Sequence, residues 1–330
     1  MPVTPILLAG LLAPVAYSFD SSTRLTYDVN VQLEGFLPLM GGNEGKVEIN
    51  MAVGVTGDSP VDGSQKAASE IKAFDVSFNG AKLPLGISNV AEFFPKTTIT
   101  LAPTGKILTT DAPDKKLPVR LPGLDVKHFP DVTYIPIELP AEEMVAGKEW
   151  TFTRDFGGAP IEYKCTADTK TGDVWKLKVS LTQNYKVLES PTFEVVAKPE
   201  DAESEVTTTM HGEGTVDFDS AKGRVAGAQM TNTAVSDVKN IKTGETKQRK
   251  LATKYMIKLQ AGASGSLAAN SNPNASWWDQ TVAWSQKAFE AGKGALVWLQ
   301  TATLFGLKGL PHEFDQFRPM IRRLAPWLGS

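Results

Sequence analysis

The sequence predicts a mainly β protein with a C-terminal α segment, built as a long curved antiparallel meander sheet or open barrel that a C-terminal helical hairpin covers. Three observations predict this class. Apolar and polar residues alternate through most of residues 24–260, short turns with Gly and Asp separate these runs, and helical spacing replaces the alternation from residue 277. Strict alternation is typical of a strand with one buried face, and Gly-containing turns join such strands into hairpins.

Residues 1–18 are typical of a secretory signal peptide. An apolar stretch runs from Ile6 to Ala16, and Ala16 and Ser18 have the spacing that signal peptidase accepts. The stretch is shorter than the ~20 apolar residues of a membrane-spanning helix. The alternative is a buried N-terminal segment, because residues 1–5, before the apolar stretch, contain no Lys or Arg. The favoured prediction is an exported protein, periplasmic or extracellular, whose mature chain begins near Phe19.

The alternation defines a first β half over residues 19–110 and a second β half over residues 149–260. Every second residue from Leu25 to Leu33 is apolar, and the same holds from Trp175 to Leu181. Runs longer than about ten residues extend for more than about 33 Å at ~3.3 Å per residue. Strands of this length favour a strongly curved sheet over a compact sandwich.

A short internal repeat indicates that the two halves are related. Residues 99–108, ITLAPTGKIL, match residues 216–225, VDFDSAKGRV, since each has a strand, a short turn, a glycine, a basic residue and a second strand. Between the halves, residues 111–148 contain six prolines. Proline interrupts regular structure, so this segment is predicted to be a connector that runs over the surface.

Residues 261–276 are small and polar and predict a flexible linker, which leads to a Trp-rich amphipathic helical tail over residues 277–330. Apolar residues recur in the tail at steps of three or four, among them Trp284, Trp298 and Phe305. Two interpretations stay open. The tail covers the apolar face of the sheet, as layered architectures require, or it lies in a membrane surface as an interfacial anchor.

Two motifs carry a resemblance to a known group of proteins. The run VAGKEW at residues 145–150 and the run GEGTVDFDSAKGRV at residues 212–225 resemble an uncharacterised group of bacterial secreted or lipid-anchored β-proteins. That group is distantly similar to periplasmic half-barrel carriers of lipoproteins and lipids. The resemblance implies a curved antiparallel sheet with an apolar concave face that helices cover.

The composition argues against nucleic-acid binding and the sequence contains no familiar catalytic motif. The 330 residues carry a net charge of −3, with a pI of about 5.8 and without a basic stripe. The three histidines, His128, His211 and His312, do not have metal-ligand spacing. The single cysteine, Cys165, lies in an apolar alternation and is predicted to pack in the core. The sequence therefore predicts no catalytic residue, no metal ion and no cofactor.

The remaining function classes are a binding module and a scaffold. The favoured prediction is an exported non-enzymatic protein with an apolar cavity for a lipid or other hydrophobic ligand. The alternative is a structural or interaction scaffold of the cell envelope without a ligand. The predicted partners are a hydrophobic small molecule or lipid, and a membrane surface through the tail; the oligomeric state is left open. The candidate ligand-binding residues are Trp175, Leu177, Val179, Trp284, Trp298 and Phe305.

Overall fold

A computed structural model describes residues 14–19, 21, 24–38, 41–83, 94, 96–112, 120–124, 128–155 and 159–260. Most of the predicted signal peptide, the linker over 261–276 and the tail over 277–330 lie outside the described residues. The predicted helical hairpin, with Trp284, Trp298 and Phe305, therefore stays a prediction.

Thirteen β-strands form one antiparallel sheet in the described part of the chain, which confirms the mainly β class and the large open sheet. Strands β1 to β6 are Arg24–Leu37, Asn43–Gly57, Gln65–Phe78, Ala81–Lys82, Thr97–Leu101 and Ile107–Asp111. Strands β7 to β13 are Glu149–Asp155, Pro160–Thr171, Val174–Glu189, Val195–Val196, Ser204–Asp219, Arg224–Asn240 and Thr246–Leu259. A short helix, α1, covers Phe129–Val132. None of the helices in the described residues has the length and apolar character needed to cross a bilayer.

The strand order is β6-β5-β3-β2-β1-β13-β12-β11-β9-β8-β7, with β4 beside β3 and β10 beside β9. Strands close in sequence pair as meanders, and β1 pairs with β13 to join the first and last strands of the described chain. The predicted turns at residues 169–173 and 219–223 are present, with Gly172 and Gly223 at positive φ, a conformation that glycine adopts without steric cost. Strands β6 and β7 form the two edges, and the chain between them is the Pro-rich connector.

Burial alternates along the strands as the sequence pattern predicts. In β9, Leu177 and Val179 are buried while Lys176 and Lys178 are exposed. We call the face with the buried apolar side chains the inner face and the opposite face the outer face. Burying the apolar side chains and leaving the charged ones in water is favourable in only one orientation of each strand. The sequence pattern therefore determines which side chains point to the inner face.

The described part of the connector differs from the prediction of a surface segment. Tyr134, Ile135 and Ile137 are 0% exposed, so the chain after α1 packs into the interior. Proline interrupts this part of the chain, so its backbone carbonyls have no partners on a neighbouring strand. Two of these carbonyls accept hydrogen bonds from β7 side chains instead. Arg154 donates from Nη1 to the Ile135 carbonyl at 2.6 Å, and Trp150 donates from Nε1 to the Glu138 carbonyl at 2.8 Å.

The connector also reaches the opposite edge of the sheet. The backbone N–H of Leu139 donates to the carbonyl of Thr104, in the turn between β5 and β6, at 2.7 Å. Residues 128–148 therefore bridge the β6 edge and the β7 edge. In the described residues the two edge strands do not pair with each other, and irregular chain links them instead.

The N-terminal segment, residues 14–19, is also part of the core. Tyr17 and Phe19 are 5% and 2% exposed. The Tyr17 ring packs edge-on against Phe218 at 5.1 Å between centroids, and the Phe19 ring packs edge-on against Tyr134 at 5.6 Å. The alternative to a signal peptide is a buried N-terminal segment. Tyr17 and Phe19 agree with that alternative, since both are buried. Signal cleavage near Ser18 stays a prediction.

Hydrogen bonds tie this segment to both halves of the sheet. The Tyr17 N–H donates to Pro103 O at 2.8 Å in the first half, and the Ser18 N–H donates to Gly223 O at 2.7 Å in the second. Glycines make room for it, because a β-carbon on Gly57 or Gly105 would overlap Phe19 or Tyr17. The segment therefore connects the two halves at one end of the sheet.

Candidate ligand-binding site

The described members of the predicted ligand set lie together on the inner face of β9. Trp175, Leu177 and Val179 are 6%, 0% and 3% exposed. Leu177 lies directly opposite Val216 in β11 and Ala167 in β8. All three lie on the buried face, as the alternation of β9 predicts, and their role in ligand binding stays a prediction.

Cys165 packs beside this set, as predicted. It is 0% exposed and lies opposite Val179. Burial raises the pKa of the Cys165 thiol to about 12, against a smaller opposing effect of the Arg154 charge. A thiol with this pKa is protonated at neutral pH, and the thiolate is the nucleophilic form, so the position suits packing and not nucleophilic chemistry.

The sequence predicts no metal site because its histidines are scattered. In the structure, the two described histidines belong to different elements. His128 precedes α1 in the connector, while His211 is exposed on the outer face of β11. Within the described residues, no group of three or more His, Cys, Asp or Glu side chains could hold a metal ion. His312 lies outside the described residues.

A buried carboxylate, which the sequence did not indicate, anchors the connector. Asp131 in α1 is 0% exposed, and its Oδ1 accepts hydrogen bonds from Tyr134 at 2.9 Å, Thr97 at 3.2 Å and Ser69 at 3.3 Å. Ser69 belongs to β3 and Thr97 to β5. Burial raises the pKa of Asp131 to about 6, although the three hydroxyl donors and the Arg154 charge lower it. One acidic residue thus connects α1 to the first half of the sheet.

A buried cation anchors the other side of the connector. Arg154 in β7 is 8% exposed, and its Nε lies 3.5 Å from Oε1 of Glu138. Its guanidinium carbon lies 5.3 Å from the centre of the Phe152 ring and 5.9 Å from that of Tyr163. A buried guanidinium is costly unless it is paired and surrounded by compatible groups, so these contacts stabilise its position.

We expect the Asp131 carboxylate to give the protein a distinctive pH dependence. Its pKa is raised from 3.8 to about 6, so the folded protein holds this proton more tightly than the unfolded chain. Stability is therefore gained as the pH falls from about 6 towards 4, whereas asparagine binds no proton. From about pH 8 to about pH 4 the stability of the wild type should rise relative to Asp131→Asn by about 2 kcal/mol.

Urea unfolding of both proteins at the two pH values measures this change. The matched control is Asp237→Asn, at an exposed position of β12, which reports the effect of removing a surface carboxylate. If the stability difference between wild type and Asp131→Asn did not change with pH, the assignment of a raised pKa to Asp131 would be wrong.

Among the depressions on the described part of the sheet, two differ in character. One, of about 690 Å³, lies on the outer face and is lined by polar side chains such as Lys164, Lys178 and Glu213. The other, of about 30 Å³, lies at one end of the inner face and is called here the Arg249 depression. Its lining includes Phe36, Arg120, Tyr185, Glu189, Arg249 and Leu251. Of the two, only the Arg249 depression adjoins the apolar face.

Comparison with known proteins shows only weak structural similarity. No protein-family model matches the chain, and no curated protein matches its sequence. Lipovitellin, in a structure that concerns lipid–protein interactions, aligns with 74% of this chain at 12% identity and a TM-score of 0.46. The alignment spans 25% of the lipovitellin chain. An outer membrane channel from Pseudomonas putida F1 aligns over 78% of this chain and 100% of its own, at 8% identity and a TM-score of 0.17.

Proposed function

We propose that this protein is an exported, non-enzymatic binding protein that holds a lipid or other hydrophobic ligand against the inner face of its sheet. The observation that carries the proposal is the continuity of that face across the junction of β1 and β13. Six directly opposed residues from six strands form an unbroken apolar line: Val29, Ile257, Ala228, Val216, Leu177 and Ala167. All six are buried.

A continuous apolar surface of this kind must be covered in water, and a hydrophobic ligand is one such cover. Ligand sites in proteins are mostly apolar with a few polar groups that orient the ligand. The inner face has this composition, whereas the outer depression is lined by charges and hydroxyls. The inner face is therefore the better candidate.

The second candidate function is a scaffold without a ligand, and one observation favours it. Connector residues Tyr134, Ile135 and Ile137 are 0% exposed and occupy part of the interior themselves. If protein side chains cover the whole inner face in this way, the sheet serves only as a framework.

Lipid extraction separates the two functions. The full chain is expressed in an exporting host and purified without detergent, and bound lipid is identified and counted per protein by mass spectrometry of the intact complex and of the solvent extract. We expect a bound lipid or other apolar molecule. Protein that carries none, and takes up none from mixed vesicles, would contradict the binding function and favour the scaffold.

A matched pair of variants tests whether the inner face holds the ligand. Ala228→Leu adds volume to the inner face, while Gln229→Leu adds the same side chain at an exposed outer position. The larger side chain takes up space that the ligand would occupy, so Ala228→Leu should lower bound lipid by roughly tenfold or more and Gln229→Leu should not. Equal lipid content in the two variants would place the ligand elsewhere.

A further inference from the structure

We propose that the Arg249 depression binds the anionic headgroup, a carboxylate or a phosphate, of the hydrophobic ligand. This inference rests on the proposed function and adds the chemical class of the ligand: an anionic amphiphile. Its tail lies along the inner face and its charged end lies between Arg249 and Arg120.

Arg249 is held in a defined orientation by three neighbours. Its guanidinium carbon lies 4.3 Å from the ring centre of Phe36 and 4.9 Å from that of Phe193. The two rings themselves pack edge-on at 5.2 Å. Nη1 donates to Oε2 of Glu189 at 2.6 Å. A guanidinium has five N–H donors in a rigid plane, so this geometry presents a planar cation that can bind a further anion.

A second cation comes from the connector. The guanidinium carbon of Arg120 lies 4.7 Å from the ring centre of Tyr185, and both residues line the depression. The two arginines outnumber the one carboxylate of the lining, Glu189, since Lys250 is exposed and points to the outer face. The excess of positive charge favours an anionic ligand over a neutral or cationic one.

The Arg249–Glu189 ion pair is largely shielded from water. The side chains of Arg249 and Glu189 are only 19% and 7% exposed. Thr208 and Ser236 line the same depression, and their hydroxyl oxygens lie 2.8 Å apart. Hydroxyl donors beside a guanidinium suit an anion, and the partly dry environment strengthens charge-assisted hydrogen bonds.

The floor of the depression is continuous with the inner face. Val206 and Leu251 line it and are 3% and 6% exposed. Leu251 lies on the same face of β13 as Ile257, which belongs to the apolar line across the sheet. A ligand tail on that face can therefore end in the depression. The volume of about 30 Å³ is close to the share of one water molecule in the liquid, so one oxygen of the headgroup enters the depression and the rest of the headgroup lies at its mouth.

The test compares ligands that share one tail and differ in the headgroup. Oleate, oleyl phosphate and oleyl alcohol are titrated into the full chain, stripped of bound lipid, by isothermal calorimetry. The wild type should bind both anions at least about tenfold more tightly than the alcohol, and the preference should shrink in high salt, as screening of charges requires. Binding of only one anion would still support the site and would identify the headgroup as carboxylate or phosphate.

Arg120→Gln tests the residues. It should weaken oleate binding by roughly tenfold and leave oleyl alcohol binding unchanged. Lys247→Gln is the matched control, since it removes a cation from the exposed end of the same strand as Arg249 without touching the depression. Equal affinity of the wild type for oleate and oleyl alcohol would overturn the headgroup site while the proposed function stood. No binding of any of the three would overturn both.

Discussion

Replacing Leu177 by aspartate should lower the free energy of unfolding by about 3 kcal/mol or more. Leu177 is 0% exposed, and the residues directly opposite it, Val216 and Ala167, are apolar and 0% exposed as well. The two residues directly opposite offer a carboxylate at this position neither a cation nor a side-chain hydrogen-bond donor. Burial of an unpaired charge is among the few changes that destabilise a protein by this much.

The control uses the next position of the same strand on the opposite face. Lys178 is exposed and forms an ion pair with Asp168 at 2.7 Å, with side-chain exposures of 62% and 31%. Exposed pairs contribute ~0–1 kcal/mol, so Lys178→Asp should cost no more than about 1 kcal/mol. Urea unfolding measures both variants. Similar losses at residues 177 and 178 would refute the assignment of inner and outer faces.

Phe19→Ala should be almost as damaging, with a loss of about 3–4 kcal/mol typical of removing a buried aromatic ring. Phe19 is 2% exposed, its ring packs against Tyr134, and its backbone exchanges hydrogen bonds with the side-chain amide of Gln65. Removing the ring opens a cavity between the connector and the first half of the sheet. Thermal or urea unfolding of the full chain gives the change in stability.

Ser18→Ala is the matched control, because Ser18 is exposed and its backbone bond to Gly223 survives the substitution. It should change stability by no more than about 0.5 kcal/mol. A loss at Phe19 no larger than at Ser18 would mean that this segment does not contribute to the core in solution. N-terminal sequencing of exported protein completes the test, since a cut after Ser18 would remove Tyr17 and leave Phe19 at the terminus.

Local patterns accounted for the strands, the turns and the direction in which each side chain points. A strand exposes alternate residues to opposite faces, so the alternation around Leu177 and Val29 was enough to assign both to the buried face. The predicted turn before Val174 was readable for a similar reason, because Gly172 adopts a positive φ that few other residues tolerate. The Arg249 depression could also be suspected from the sequence, since Arg249 alternates in β13 with Leu251 and Ile257 on the inner face. Its charge at an inward position was the available signal.

The burial of the connector could not be predicted from a local sequence pattern. Proline removes backbone donors and prevents strand pairing, so the sequence of residues 111–148 indicates irregular chain whether that chain lies outside or inside. Asp131 became an anchor only because folding brought Ser69 and Thr97, from two different strands, within hydrogen-bond distance of it. The sequence shows an acidic residue after a proline and nothing of these partners.

What the sequence determined by itself was the class of the protein, its meander strands and the parity of each strand, because all of these follow from residues within a few positions of one another. What the tertiary structure alone decided was the pairing of β1 with β13, the bridging of the two sheet edges by residues 128–148, and the insertion of Tyr17 and Phe19 between the halves. These contacts join residues far apart in the chain. Each depends on which surfaces remain uncovered once the sheet has formed, and no local pattern encodes that.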